Sequence, residues 1–288
     1  MISDAETRHT AARLGVDLQI VDLDYVQSCF LASLYSLPEA AGLRFKGGTC
    51  LKKCYFGDYR FSKDLDFTAT RPISPDRLEG LLDSVARVAD RNWQVDFGVR
   101  AVKVVVQDDE YGKESYEVRV YYRGPLARRG DPQAIRLHVT RYETLVFPES
   151  RRPLLHEYSD ADQVSGIEVP CYDLLEVMSE KLRALAGQRT HAISRDVYDI
   201  DEISRREKVD ISGIATALPK KLVAKGLTVG EIDLVRLAGR KDEFRRDWER
   251  NLINLLSPGM AGDFEATWQR VLSFIANVNR RMTSENGR

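Results

Sequence analysis

Leu23, Val26, Phe30, Leu34 and Leu37 recur at three- and four-residue intervals, which predicts a helix over about Asp22–Leu37 that ends before Pro38. Leu78, Leu81, Leu82, Val85 and Val88 repeat the pattern and predict a helix beginning near Pro75. Between these, Thr49 to Tyr55 reads as a short helix after a pair of glycines. The period then changes from helical to two. Val99 to Val106 is β-branched and apolar, and Tyr116, Val118, Val120 and Tyr122 alternate with Glu117, Arg119 and Tyr121. Asp108, Asp109 and Gly112 supply a turn between the two runs, so they read as an antiparallel hairpin. Ile135, Leu137 and Val139 mark a further strand, with Arg136, His138 and Thr140 on its other face. After Pro170 the helical period returns. Leu175, Met178, Leu182 and Leu185 stripe a helix over Tyr172 to Ala186, and Val197, Ile200 and Ile203 stripe the next from Arg195. Three or four more helices follow. Thr228 with Glu231 forms a capping-box pattern, Phe244, Trp248, Leu252 and Leu255 stripe one helix, and Phe264, Trp268, Val271, Ile275 and Val278 stripe the last, after Ser257-Pro258-Gly259. Strands in the first part and helices in the second predict an α+β chain with a sheet over 1–165 and a helical domain over 166–288.

The densest chemistry lies in Phe45-Lys46-Gly47-Gly48-Thr49 and, fourteen residues on, Asp64-Leu65-Asp66-Phe67. Paired glycines can take positive φ and let a phosphate approach backbone N–H groups, and Thr49 adds a hydroxyl at a helix start. On a strand, Asp64 and Asp66 project from one face while Leu65 and Phe67 enter the core. Two neighbouring carboxylates repel unless a cation sits between them, and hard oxygen donors favour Mg²⁺ or Mn²⁺. Lys46, Arg60, Ser62 and Lys63 surround the pair with basic and hydroxyl groups. The glycine spacing matches neither a Walker A loop nor a dinucleotide fingerprint.

Lys plus Arg total 43 against 44 Asp plus Glu, so a formal charge of −1 exerts no global pull on nucleic acid. RNA contact would have to come from local patches, for which Lys220, Lys221, Lys225, Arg236, Arg240, Lys241, Arg245, Arg246, Arg250 and the loop Arg123–Arg129 are the candidates. Acids interleave them, so a merely solvated helix face is the competing reading. The four cysteines, Cys29, Cys50, Cys54 and Cys171, lie in segments that read as helices. Cys50 and Cys54 can share a helix side, but no matching Cys or His pair is evident, so structural thiols are expected. With no apolar leader or membrane span visible, a reducing cytoplasm is the expected compartment.

The first motif, Phe45 to Leu51 with Arg60 to Phe67, resembles that of the AbiEii/AbiGii-type nucleotidyltransferase toxins, a branch of the DNA polymerase β-like nucleotidyltransferase superfamily. Glu180-Lys181-Leu182 and Arg195-Asp196-Val197-Tyr198-Asp199 are similar to later motifs of that family, so the resemblance spans roughly 20–205. It implies a polymerase β-like mixed sheet flanked by helices, followed by a C-terminal helical bundle, and a toxin of a bacterial toxin–antitoxin or phage-defence pair. A nucleoside triphosphate would be the donor, Mg²⁺ or Mn²⁺ the cofactor, the tRNA 3′ end the acceptor and an antitoxin the partner. Lys181 would bind the triphosphate, with Asp199 orienting it and Asp196 as a second candidate, and the helical domain would bring Lys181 and Asp199 to the cleft. Gly47, Gly48, Thr49 and Ser62 would contact phosphates, with Lys46 beside them, and Lys63 would offset charge on the leaving pyrophosphate.

One position departs from the family. Its third strand usually carries an acid, and His138 stands there instead. An imidazole can ligate Zn²⁺ or Mn²⁺, act as base toward an acceptor hydroxyl, or simply hydrogen-bond at a strand edge, and Glu143 is a nearby source of the missing carboxylate. Three other activities share the motif: adenylylation of a small molecule, modification of a protein hydroxyl, and nucleotide binding without turnover.

Overall fold

The computed structural model describes residues 1–108, 114–126, 130–186, 191–230 and 232–286. Asp109, Gly112, Arg128, Arg129 and Glu231 of the sequence reading lie outside the described residues. Ser3 accepts from the Glu6 amide and Gly15 closes the end in left-handed conformation, so α1 is Asp4–Leu14, a helix the apolar spacing did not predict. Asp17 caps α2, Leu18–Tyr35, which starts before the predicted Asp22 because the polar cap, and not the buried stripe, sets its first turn. Leu37 leads instead into a 3₁₀ turn, Pro38–Gly42.

Strand β1 is Leu43–Lys46, followed by α3, Gly47–Cys50, and one π-helical turn, Leu51–Tyr55. Strand β2 is Asp64–Ala69, and Ser74 caps α4, Pro75–Trp93. The predicted hairpin forms from β3, Val104–Asp108, and β4, Glu114–Tyr122, paired antiparallel. Its first strand begins five residues later than the β-branched run suggests. Upstream, backbone hydrogen bonding goes to the Asp96–Arg123 bridge and to an Asx turn in which Gly98 N donates to Asp96, and Val104 N is anchored on Glu79 of α4 at 2.8 Å. Strand β5 is Gln133–Thr140, and Ile135, Leu137 and Val139 are buried as predicted. Strands β6, Glu149–Pro153, and β7, Glu168–Tyr172, complete a seven-stranded mixed sheet in the order β3-β4-β5-β2-β1-β7-β6. Here β2 runs antiparallel to β1 and parallel to β5, and β1 runs parallel to β7. Its core packs Tyr25, Phe30, Leu82 and Val85 of the helices with Phe45, Phe67 and Leu137 of the strands.

The remaining helices are α5, Leu174–Leu185; α6, Ser194–Arg206; α7, Ile211–Ala224; α8, Leu234–Gly239; α9, Lys241–Asp247; and α10, Phe264–Asn286. The cap near Thr228 is corrected: α8 is capped by Asp233, which accepts from Arg236 N at 2.9 Å. The chain divides into a first compact unit, 1–143 with 149–171, and a second, 144–148 with 172–288. The boundary lies beyond 165 because β7 belongs to the sheet. Residues 144–148 group with the helices, as the amides of Val146 and Phe147 donate to Glu176 of α5. Cys171 sits on β7 and not on a helix, because its neighbours are extended and pair with β1. No described helix is long and apolar enough to cross a membrane.

In the helical unit a fully buried lysine joins two helices. Lys221 of α7 pairs with Glu176 and, at 3.0 Å, with Glu180, both on α5. An unpaired buried charge costs more than the pair contributes. Lys221→Ala is therefore expected to destabilise this unit by about 3 kcal/mol or more, read by urea unfolding. Loss of less than about 1 kcal/mol would show that the carboxylates find water or another partner.

Candidate active site

Gly47 begins α3 with a φ of 80°, a left-handed value that residues with a Cβ rarely adopt. The conformation turns the chain from β1 into the helix directly beside the Asp66 carboxylate. A methyl on Gly47 would lie 3.1 Å from Asp66 Cγ and closer still to Oδ2. Gly48 has a similar constraint from the buried guanidinium of Arg60, whose Nη1 would be 2.9 Å from an added Cβ. Arg60, noted in the sequence only as a basic neighbour, is thus packed on the glycine turn. Asp64 and Asp66 are both half-buried and stand on one face of β2, opposite Leu65 and Phe67, which are buried in the core. Lys46 is aligned with Asp66 across the β1–β2 ladder, Ser62 is buried, and Lys63 is exposed.

Thr49 has a different place from the one its sequence position suggests. Its hydroxyl donates to the Asp64 carbonyl at 2.6 Å and the residue is buried. A hydroxyl has one proton, so Thr49 ties the turn to β2 and has none to offer a phosphate.

The β2–β5 register places His138 directly beside Asp66, and the β5–β4 register places Glu117 beside His138. Lys46, Asp66, His138 and Glu117 therefore form one row across four strands. His138 Nδ1 is 3.4 Å from Glu117 Oε1, so the imidazole is turned toward that carboxylate. Among the described residues, Asp64, Asp66 and His138 do not gather within 4.8 Å of one another as a ligand cluster. Glu143 lies beyond the end of β5, outside this row. The carboxylate that the register does supply is Glu117. Sequence reading missed it because only strand pairing, not spacing, brings it beside His138; its place on the polar face of an alternating strand was the available signal.

The π-helical turn after α3 is anchored by a buried ion pair, Lys53 Nζ to Asp24 Oδ2 at 2.6 Å, with the Tyr158 hydroxyl donating to the same oxygen at 2.8 Å. Burial pushes the Asp24 carboxyl up, but Lys53, Lys52 and the two hydrogen bonds outweigh it and hold the group below its ordinary 3.8.

In the helical unit, Lys181 of α5 meets both predicted acids of α6. Its ammonium is 2.6 Å from Asp199 Oδ2 and 3.1 Å from Asp196 Oδ1, with all three residues buried. The i and i+3 spacing puts both carboxylates on the helix face that holds the lysine. The proposed basic patch is largely dissolved. Lys221 and Lys225 are buried, Arg240 pairs with Glu243 at 2.9 Å, and Lys241 and Arg245 pair with Glu265. Lys220, Arg236, Arg246 and Arg250 stay exposed.

Residues 29–272 match the family described as nucleotidyl transferase AbiEii toxin, type IV toxin–antitoxin system. No curated protein sequence matches the chain. Among solved structures it is similar to MenT4, a nucleotidyltransferase toxin from Mycobacterium tuberculosis H37Rv, at a TM-score of 0.59 and 21% identity, covering 98% of this chain and 94% of that one. It is also similar to JHP933 from Helicobacter pylori, at a TM-score of 0.59 and 17% identity over 94% and 97% of the two chains. At such identities the likeness is one of fold.

Gly47→Ala is expected to weaken nucleoside triphosphate binding about tenfold or more while the chain still folds, since a β-carbon at this φ costs about 1–2 kcal/mol and displaces Asp66. Titration calorimetry against unmutated protein reads it, and unchanged affinity would separate the turn from the nucleotide. A second expectation concerns acid. The depressed Asp24 means that the unfolded chain binds more protons, so its contribution is complete above 3.8 and is lost as pH falls through the lower folded value. Urea unfolding between about pH 5 and pH 2 should show a steeper loss in the natural chain than in the Asp24→Asn/Lys53→Met double variant. Equal slopes would assign the acid sensitivity elsewhere.

Proposed function

The chain belongs to the AbiEii nucleotidyl transferase toxin family of type IV toxin–antitoxin systems, and from that premise we propose that it transfers a nucleotidyl group from a nucleoside triphosphate to the 3′ end of tRNA, in a metal-dependent reaction. The observation that carries this reading is the packing of the Gly47 turn against Asp66, with Asp64 on the same strand face. The donor set is two carboxylates, hard oxygen ligands beside a glycine cradle, and it fits Mg²⁺ or Mn²⁺. Asp64 and Asp66 would hold that ion, and when bound it would offset triphosphate charge and polarise the α-phosphorus.

The chain's own groups do the rest. Amides of Gly47 and Gly48 receive phosphate oxygens, with Ser62 beside them. Lys46, Lys63 and the packed Arg60 offset negative charge on the triphosphate and the leaving pyrophosphate. Thr49 fixes the turn. Lys181 carries the triphosphate-binding role that the resemblance implies, with Asp199 and Asp196 as the acids that orient it. His138, steadied by Glu117, accepts the proton of the attacking hydroxyl. The hydroxyl attacks the α-phosphorus in line, the bond to the β-phosphate oxygen breaks, and pyrophosphate departs. The tRNA acceptor rests on the family resemblance, since burial or ion pairing takes up Lys221, Lys225, Arg240, Lys241 and Arg245 of the candidate basic patch. Nucleoside triphosphates and tRNA place the activity in the cytoplasm, and a toxin of this family is paired with an antitoxin.

A second reading follows from His138 in the third-acid position: nucleotide binding without turnover. One assay separates the two. The protein is incubated with total tRNA, Mg²⁺ or Mn²⁺ and each α-labelled nucleoside triphosphate. Label should enter tRNA, and Asp64→Ala should lower the rate by about 10³-fold or more at unchanged stability. Transfer retained by Asp64→Ala would remove the metal assignment, and binding with no transfer in either metal would leave the inactive reading. In the same assay Glu117→Gln is expected to slow transfer with little change in nucleotide affinity; a full rate would relieve Glu117 of any role.

A further inference from the structure

Cys50 and Cys54 lie one helical turn apart, in α3 and the π-helical turn, and Cys171 comes to them from β7, whose Cα partner on β1 is Phe45. The three sulfurs lie within 4.8 Å of one another, and the residues are 0%, 3% and 0% exposed. The strand pairing that joins β1 to β7 thus supplies the third ligand, 117 positions away along the chain from Cys54, that sequence spacing could not reveal.

We propose that Cys50, Cys54 and Cys171 form a binding site for a thiophilic cation of the Zn²⁺ class, separate from the carboxylate pair on β2. A cation held at about 2.3 Å from each sulfur sets the sulfurs about 4 Å apart, so the observed cluster needs little movement to close on one. Thiolates select soft cations whereas Asp64 and Asp66 select hard ones, so the two sites would take different metals from one solution. The Tyr55 hydroxyl, 3.7 Å from Cys171 Sγ, is an oxygen within reach of a fourth position. Binding displaces the thiol protons to water, and the charge left on the thiolates is offset by the cation and by Arg152, whose guanidinium lies 4.6 Å above the Tyr55 ring. A disulfide would use two of the sulfurs and leave the third unpaired; a cation uses all three. The site pins the segment that carries the Gly47 turn to β7. It does not depend on the proposed reaction.

The test is elemental analysis of the full chain purified without chelator, then reconstitution with Co²⁺ alone. About one equivalent of Zn²⁺ per chain is expected, retained by Asp64→Ala and weakened at least tenfold by Cys54→Ser or Cys171→Ser. Co²⁺ should give thiolate-to-cobalt charge-transfer absorption in the natural chain and in Asp64→Ala. Should the serine variants fail to fold, the natural chain decides alone: a mercurial titrating its thiols should release Zn²⁺ stoichiometrically to a chromophoric chelator. A metal-free chain that gives no charge-transfer band with Co²⁺ would overturn the proposal and leave the three thiols as core packing.

Discussion

The close approach of Gly47 to Asp66 is the constraint on which the first compact unit turns. Gly47, with a φ of 80° and no side chain, leaves open the space that a β-carbon would need, and the Asp66 carboxylate fills it. Everything nearby is then placed by short connections. The β1–β2 ladder aligns Lys46 with Asp66, Thr49 clamps the turn to the Asp64 carbonyl, and Arg60 packs on Gly48. The glycine turn and two carboxylates are therefore held by backbone geometry and not by flexible side chains. Such preorganisation is what phosphoryl chemistry demands, because its catalysis comes from position and charge.

Buried charge is managed in the same way across both units, by pairing. Lys53 meets Asp24, Lys181 meets Asp196 and Asp199, and Lys221 meets Glu176 and Glu180. In each case the partners come from different elements, so the pairs also choose which helices sit together. Their desolvation is expensive, and this makes them specific more than strongly stabilising. The pairing extends to the surface, where Glu243 and Glu265 take up Arg240, Lys241 and Arg245. Part of what reads along the chain as a basic run becomes, in space, a set of ion pairs, while Lys220, Arg236, Arg246 and Arg250 stay exposed. With a net charge of −1, the chain as a whole exerts no pull on a polyanion.

The row across the sheet illustrates how strand pairing redistributes chemistry. His138 on β5 stands beside Asp66, and Glu117 on β4 is aligned beside His138. The Glu117 carboxylate thus stands one strand away from His138, on β4. An imidazole held by a carboxylate is suited to taking a proton, which a third metal-bound acid would not do as readily.

Much of this was written in local pattern. Alternation over Tyr116–Tyr122 and Ile135–Val139, the stripes of α4, α5, α6 and α10, and the Gly47-Gly48 and Asp64–Asp66 spacing all depend on neighbours within a few residues, and each led to the right element. Periodicity measures burial of one face, so it missed α1, whose ends are set by Ser3 and Gly15, and the short strands β1, β6 and β7, which hold too few residues to show a period. It also carried β3 too far upstream, where Asp96 takes the hydrogen bonds. The third thiol beside Cys50 and Cys54, Glu117 beside His138, and the burial of Lys221 between two glutamates were decided only when distant segments paired. A sequence displays the periods of its elements, but the contacts between elements are chosen by register and packing, which no short window of residues contains.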